Sequence, residues 1–370
     1  MGLNPESLKA AANIHNSEFQ NDKFLEGTSC LLFPEDPSRC EVLKNIKLTT
    51  SVISFVGSFL MIFMIWLFRK YNEFYQRLIL YLSISSFFSS ITYFVSIGSN
   101  VENTRCTTEA FLTTYVDWSV LLWILCITFN VAQKVFRLVH RKVDTNTRES
   151  VRDRTELCYI FVGWILPLGI AAIPLIKNVY GPAGQWCWIK SDAHAWRLYI
   201  WYIWNTLAMV LLFVVYGWIR MQLKFLSENA YTGLYDSNFH HQKRAMEKEI
   251  KTLRAYPIVY TLTGIFPVIL RLHNWFNTSP ADQAPFILWI LVTIIAPLQG
   301  AINSVVFGMD PDTRRVVLSK HAVRLAWHSH FDKVLVTQYP IHRFKDSMSD
   351  AESLNETTAL LSPPESIQTS

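Results

Sequence analysis

Asp117 is the side chain with the most chemistry to explain, because it stands in an otherwise apolar run, Tyr115-Val116-Asp117-Trp118. A carboxylate in such a run is costly to desolvate and faces a cavity or a partner. Three roles are open to it: contact with a ligand, an ion pair with Arg271 or Arg197, or a water-lined structural position. Trp118 adjoins it, Arg197, Tyr199 and Trp204 open a later apolar run, Arg271 and His273 close another, and Lys190 lies in a polar segment between runs. Guanidinium groups take phosphate through paired hydrogen bonds, and aromatic faces stack on flat rings, so these residues could form a basic, aromatic-lined mouth for a small anion. Equally, Arg197 and Arg271 could simply snorkel to a membrane interface.

Catalytic constellations are missing from the same stretches. Intramembrane hydrolysis needs clustered His, Asp or Glu, and Asp117 is almost alone in the apolar runs. A retinal-type Schiff base needs a lysine in the last run, and Pro285 to Phe307 has none. The sequence therefore predicts no enzyme activity, no cofactor and no metal.

The elements that position these residues follow from charge distribution. Charged residues are 17% of the 370, where a soluble chain carries about a quarter. The deficit lies between Leu48 and Phe307, in apolar runs long enough to cross about 30 Å of hydrocarbon. The runs are Leu48 to Phe68, Leu78 to Gly98, Ala110 to Phe136, Leu157 to Ile176, Leu198 to Ile219, Ala255 to Leu272, and Pro285 to Phe307. Pro257, Pro267 and Arg271 interrupt the sixth. Backbone groups in lipid must bond within the segment, so runs of this kind are helices rather than barrel strands. The expected fold is an all-α membrane protein: a seven-transmembrane helix bundle over 48–308, an outer segment over 1–47, an amphipathic helix over 309–330 and a cytosolic tail over 331–370.

Orientation follows from retention of basic loops in the cytosol. The breaks after spans one, three and five carry Arg69, Lys70 and Arg77, then Arg137, Arg141, Lys142, Arg148, Arg152 and Arg154, then Lys224, Lys243, Arg244, Lys248 and Lys251. The opposite breaks hold only Arg105, Lys177 and Lys190. The chain is therefore expected in the plasma membrane with its N-terminus outside and its C-terminus in the cytosol. The net charge of +5 reports topology rather than a nucleic-acid polymer as partner. No apolar stretch of signal-peptide length precedes the first span, which then serves as the insertion signal.

After the seventh span, Asp310-Pro311 reads as an N-cap with proline at the first helical position. A helix through Trp327 gathers Val316, Leu318, Ala322, Val323, Leu325 and Trp327 on one face and Lys320, His321 and Arg324 on the other. Such a helix lies on the bilayer surface or packs on the loops. Of six cysteines, Cys126 and Cys158 fall inside spans as packing residues. Cys106 and Cys187 both fall on the oxidising side, where a bridge is permitted, and Cys30 and Cys40 could form another. Asn277-Thr278-Ser279 is a glycosylation sequon on that side; Asn355-Glu356-Thr357, in the tail, is expected to go unused.

Three local sequences carry a resemblance. Gln185-Trp186-Cys187-Trp188-Ile189, Trp123-Ile124-Leu125-Cys126 and Gly163-Trp164-Ile165-Leu166-Pro167 resemble the outer-loop, third-span and fourth-span patterns of the cyclic-AMP-receptor-like (class E) G-protein-coupled receptors, with similarity to secretin-like receptors. Pro297-Leu298-Gln299-Gly300 with Asn303 and Gly308 is similar to the seventh span of this wider group. The resemblance covers about Leu48 to Arg315. Asn130 to Arg137 reads N-V-A-Q-K-V-F-R, so the D-R-Y of rhodopsin-like receptors is not there, and their switch residues do not transfer.

The resemblance implies a receptor that transmits an extracellular small-molecule or peptide ligand, with cyclic AMP or another small anion in view, to a heterotrimeric G protein. Arg137, Arg141, Lys243, Arg244, Lys248, Lys251 and Arg254 would then dock the G protein, or else hold a solvated face near anionic lipid. Ser347, Ser349, Ser353, Thr357 and Thr358 are phosphorylation candidates for an arrestin-like adaptor, in a tail whose composition is also that of plain disorder. Glu356, Leu360 and Leu361 resemble an acidic di-leucine sorting signal for endosomal traffic. The alternative is a seven-helix transporter or channel, although no pair of broken helices suggests an inverted repeat.

Overall fold

The computed structural model describes residues 33, 36–95, 104–139, 148–183, 186–190, 192–231, 250, 253–276 and 284–331. Helix α1 (Pro37–Leu67) starts eleven residues before the expected Leu48. Its start is set by Asp36, whose carboxylate accepts Ser38 Oγ at 2.5 Å and Arg39 Nε at 3.0 Å, with proline at the first helical position. The Ser38 hydroxyl and the Arg39 guanidinium hold the Asp36 carboxyl below its ordinary range. Hydropathy marks the apolar part of a helix, whereas the hydrogen-bond ladder runs on into polar sequence, so Lys44 and Lys47 are helical too.

Helices α2 (Phe74–Val95) and α3 (Thr104–Val139) follow. Helix α4 (Arg148–Ile160) passes through a π-helical turn at Phe161–Ile165 into α5 (Leu166–Ile176). A two-stranded hairpin, β1 (Tyr180–Pro182) and β2 (Cys187–Ile189), departs from the purely helical expectation. Next come α6 (His194–Arg197), a second π-helical turn at Leu198–Tyr202, and α7 (Ile203–Tyr231). Helix α8 (Ala255–Phe276) contains Pro267, and α9 (Phe286–Ile295) meets α10 (Gln299–Met309) at a 52° bend. Pro297 sits in that break, where it cannot donate to the ladder.

Among the described residues, five helices are long and apolar enough to cross a membrane, six if the bent pair counts as one. Ala255–Leu270 is apolar but shorter. Helix α3 is the central element: 67% of its apolar stretch is buried, against 28–44% for the other four. On α1 and α7, Ile53, Phe59, Leu207 and Val214 point outward, a surface that water penalises and hydrocarbon accepts.

Helices approach closely where side chains vanish. A Cβ on Gly300 would lie 2.6 Å from Ser54 Oγ on α1, one on Gly57 would lie 2.9 Å from Ala301 Cα, and one on Gly163 would enter the Trp123 indole. An Arg77–Glu156 pair ties α2 to α4, with Nε–Oε1 at 2.7 Å and Tyr81 donating to the same carboxylate at 3.1 Å.

Among the described residues, 67–69 and 311–331 belong to a second unit. Within it, α11 (Pro311–Leu318) and α12 (Lys320–Phe331) replace the single amphipathic helix expected. Ser319 makes the break, its Oγ accepting Ala322 N–H at 3.2 Å as an N-cap. Leu325 and Trp327 are exposed, as are Lys320, His321 and Arg324.

Candidate functional site

The hairpin is placed by the way α5 stops. Asn178 takes a left-handed conformation (φ 52°), Val179 N–H bonds Pro174 O at 3.1 Å and Asn178 N–H bonds Leu175 O at 3.1 Å. This pair of bonds is the Schellman termination, in which asparagine tolerates the strained backbone. The chain then runs into β1, with Tyr180 opposite Ile189 and Pro182 opposite Cys187.

Several bonds fix the hairpin over α3. The Cys106–Cys187 disulfide is formed, Cys187 N–H donates to Glu109 Oε1 at 3.3 Å, and Trp188 Nε1 donates to Thr114 Oγ1 at 3.1 Å. Tyr180 OH donates to Ala171 O at 3.0 Å, and burial pushes this phenol up to about 12. Arg197 donates twice to Ile189 O, at 3.0 and 2.7 Å.

Beneath the hairpin lies a cavity of about 200 Å³. From α3 it is lined by Glu109, Thr113, Thr114, Asp117 and Val120, whose three- and four-residue steps keep them on one helical face. Lys47 enters from α1, Ser89 and Tyr93 from α2, Trp186 and Trp188 from the hairpin. Trp201, Tyr202 and Asn205 come from the second π-turn and α7, Tyr260 and Thr263 from α8, and Thr293 and Gln299 from either side of the bend. Asp117 accepts Ser89 Oγ and Tyr93 OH, each at 3.5 Å. Lys47 Nζ stands 5.2 Å from the Trp186 ring centre and 5.4 Å from that of Tyr93, and interacts electrostatically with Glu109 and Asp117. Tyr260 OH donates to Asn205 Oδ1 at 2.7 Å, joining α8 to α7. Gln299 Nε2 is buried with no hydrogen-bond partner among the described residues. Among the described residues no three His, Cys, Asp or Glu side chains converge as metal ligands.

Of the ligand-site residues expected from sequence whose side chains are described, Asp117 is the one lining this cavity. Trp118 is buried beside it, donating to Ile200 O at 3.1 Å and meeting Trp201 edge-on. Arg197 is committed to Ile189 O, and Lys190 lies along Gly181 while its N–H bonds Val179 O. Tyr199 and Trp204 are exposed, with Trp204 Nε1 donating to Tyr199 O. Arg271 lies on α8 with its side chain outside the described residues, and His273 is half-buried near the end of that helix.

Lys47 and Glu109 are the additions that sequence reading did not make. The polar stripe Glu109, Thr113, Asp117 was the available signal.

At the other end of α3, Arg137 is exposed. Arg254 is exposed beside the start of α8, and Tyr216 OH donates to its carbonyl. Arg141, Lys243, Arg244, Lys248, Lys251, Asn277, the tail serines and threonines, and Glu356, Leu360 and Leu361 lie outside the described residues. Cys126 and Cys158 are free thiols, and Cys40 is disulfide-bonded; Cys30 lies outside the described residues.

Comparison with known proteins agrees with this frame. Residues 36–349 match the family described as slime mold cyclic AMP receptor. Cyclic AMP receptor-like protein A of Dictyostelium discoideum is 23% identical over 270 residues, which cover 73% of this chain and 65% of that protein. G-protein coupled receptor 1 of Arabidopsis thaliana is 24% identical over 281 residues (75% of this chain, 80% of the relative). G-protein coupled receptor 157 of Homo sapiens is 26% identical over 279 residues (71% and 79%). The chain spans just under two thirds of the first of these relatives. These relatives are receptors rather than enzymes, and with the apolar helices they describe a receptor-like, multi-pass membrane protein.

Proposed function

The chain belongs to the slime mold cyclic AMP receptor family, and on that premise we propose that it is a G-protein-coupled receptor. A ligand enters the cavity around Asp117 from outside the cell, and the opposite end of the bundle activates a heterotrimeric G protein. The observation that carries this reading is the cavity itself: charged, walled by six of the apolar segments, and covered by a disulfide-bonded hairpin. Counting Ala255–Leu270 and the bent α9–α10 pair as one span each, beside the five long helices, gives seven crossings. The hairpin end is then extracellular, and the tail cytosolic.

The route from cavity to transducer runs through α7 and α8. Tyr260 and Asn205 join these helices at the cavity, and Tyr216 holds the Arg254 carbonyl at their far end. A ligand that pulls Tyr260 from Asn205 favours a second arrangement of α8, and its differential contacts with the two arrangements set the shift. Arg137 and Arg254, with the basic run from Lys243 to Lys251, then meet the G protein.

The test is expression in cells carrying G-protein activation sensors, with surface expression measured in parallel. Basal or ligand-driven activation that is lost when Lys248 and Lys251 are both replaced by Ala supports coupling. Silence across all sensors from a surface-expressed receptor, with solute flux in reconstituted vesicles, makes the chain a transporter instead.

A further inference from the structure

The charges in the cavity select a ligand class, and it differs from the anion for which the arginines were expected. Among the described residues its lining holds one ammonium, Lys47, and two carboxylates, Glu109 and Asp117. Lys47 already interacts with both and sits against the Trp186 and Tyr93 rings. No guanidinium lines the cavity among the described residues, and Arg197 is turned to the Ile189 carbonyl. A phosphate here would shed its water beside two carboxylates, with a single shared ammonium to receive it, and burying a charge without adequate pairing is costly.

A cation meets the opposite conditions. Asp117 is half-buried in the cavity wall, and both its hydrogen bonds are long, at 3.5 Å, so its oxygens can accept a closer, charged donor. Tyr93, Tyr202, Tyr260, Trp186 and Trp201 line the same space, the Tyr93 and Trp186 rings already hold the Lys47 ammonium, and aromatic faces attract a desolvated cation. We infer that the cavity binds a small ligand through a cationic nitrogen, with Asp117 as its counter-ion and the surrounding tyrosines and tryptophans as its walls. This rests on the receptor reading only in taking the cavity as the ligand site.

The experiment uses full-length protein in nanodiscs, with thermal stability as the readout and no G protein present. Three probes are compared at millimolar concentration: phenethylammonium, the similarly shaped anion 3-phenylpropionate, and cyclic AMP. Phenethylammonium is expected to raise the melting temperature with an apparent affinity about tenfold tighter than either anion, a difference of about 1.4 kcal/mol. Asp117→Asn is expected to erase that preference, and Asp117→Glu to keep part of it. Lys47→Gln, which removes the resident ammonium, is expected to tighten phenethylammonium, and it decides the matter should Asp117→Asn not fold. The inference is overturned by stabilisation with either anion at equal or tighter affinity, by an ammonium effect that survives Asp117→Asn or weakens in Lys47→Gln, or by no shift with phenethylammonium. Absent nucleotide exchange with binding intact would instead overturn the coupling reading alone.

Discussion

The Ser119 hydroxyl donates to the backbone carbonyl of Gly163 at 2.7 Å. Its neighbour Trp118 does the same to Ile200 O at 3.1 Å. Each acceptor is the middle residue of a π-helical turn, Phe161–Ile165 or Leu198–Tyr202. A π-turn displaces the helical ladder locally and is found often at functional sites. Here consecutive residues of the central helix α3 bind the two turns, which fixes α5 against α3 and α7 beside the cavity that Asp117 and Trp201 line.

Gly163→Ala is expected to destabilise the protein by about 1–3 kcal/mol, the usual cost of overpacking. The new methyl would enter the fully buried Trp123 ring, which has nowhere to turn. Thermal unfolding in nanodiscs measures it, with Gly169→Ala as the control because nothing lies within 4 Å of its Cβ position. Equal melting temperatures for the two variants would contradict the packing described.

Replacing both Cys106 and Cys187 by Ser is expected to cost about 2–4 kcal/mol, since the bridge closes a separation of 81 residues. Ligand-free hydrogen exchange in the hairpin should rise as well, because Cys187 N–H and Trp188 lose their registration on Glu109 and Thr114. Serine at Cys126 and Cys158, both free thiols, should leave the hairpin's exchange unchanged.

A double-mutant cycle on Arg77→Met and Glu156→Gln is expected to give a coupling of about 1–2 kcal/mol, above the roughly 0.2–1 kcal/mol of exposed pairs. The two side chains are 24% and 15% exposed and pair through two N–H groups, so solvent screens them only in part. Additivity within error would show that the pair contributes nothing.

Tyr180 links stability to alkaline pH. Its phenol is raised by burial from its ordinary 10 to about 12, so above pH 10 the unfolded chain releases this proton while the folded chain keeps it. Its contribution is full below pH 10 and is lost as pH climbs towards 12. Tyr180→Phe should therefore melt with a shallower alkaline decline than the parent; identical slopes would refute the assignment.

What the sequence made legible divides along physical lines. Apolar runs marked the membrane helices because solvation is a property of composition, and Asp117 was legible as a charge within one of them. Lys47 and Glu109 were not, because each adjoins the edge of an apolar run, at Leu48 and Ala110, and was grouped with the polar flank. Helix α1 carries Lys47 into the cavity only because its ladder continues back to Pro37. Arg197 was open between an anion ligand, an ion pair with Asp117 and a side chain snorkelling to the interface, and its bonds to Ile189 depend on a hairpin that no local pattern announced. The π-turns have no compositional mark beyond Gly163 among bulky neighbours.

The receptor account counts seven crossings, an odd number, which puts the two ends of the chain on opposite faces of the membrane. Epitope tags at the two ends, probed in intact and then permeabilised cells, test this most directly. The N-terminal tag is expected to bind antibody on intact cells and the C-terminal tag only after permeabilisation. Both tags answering in the same compartment would contradict the account.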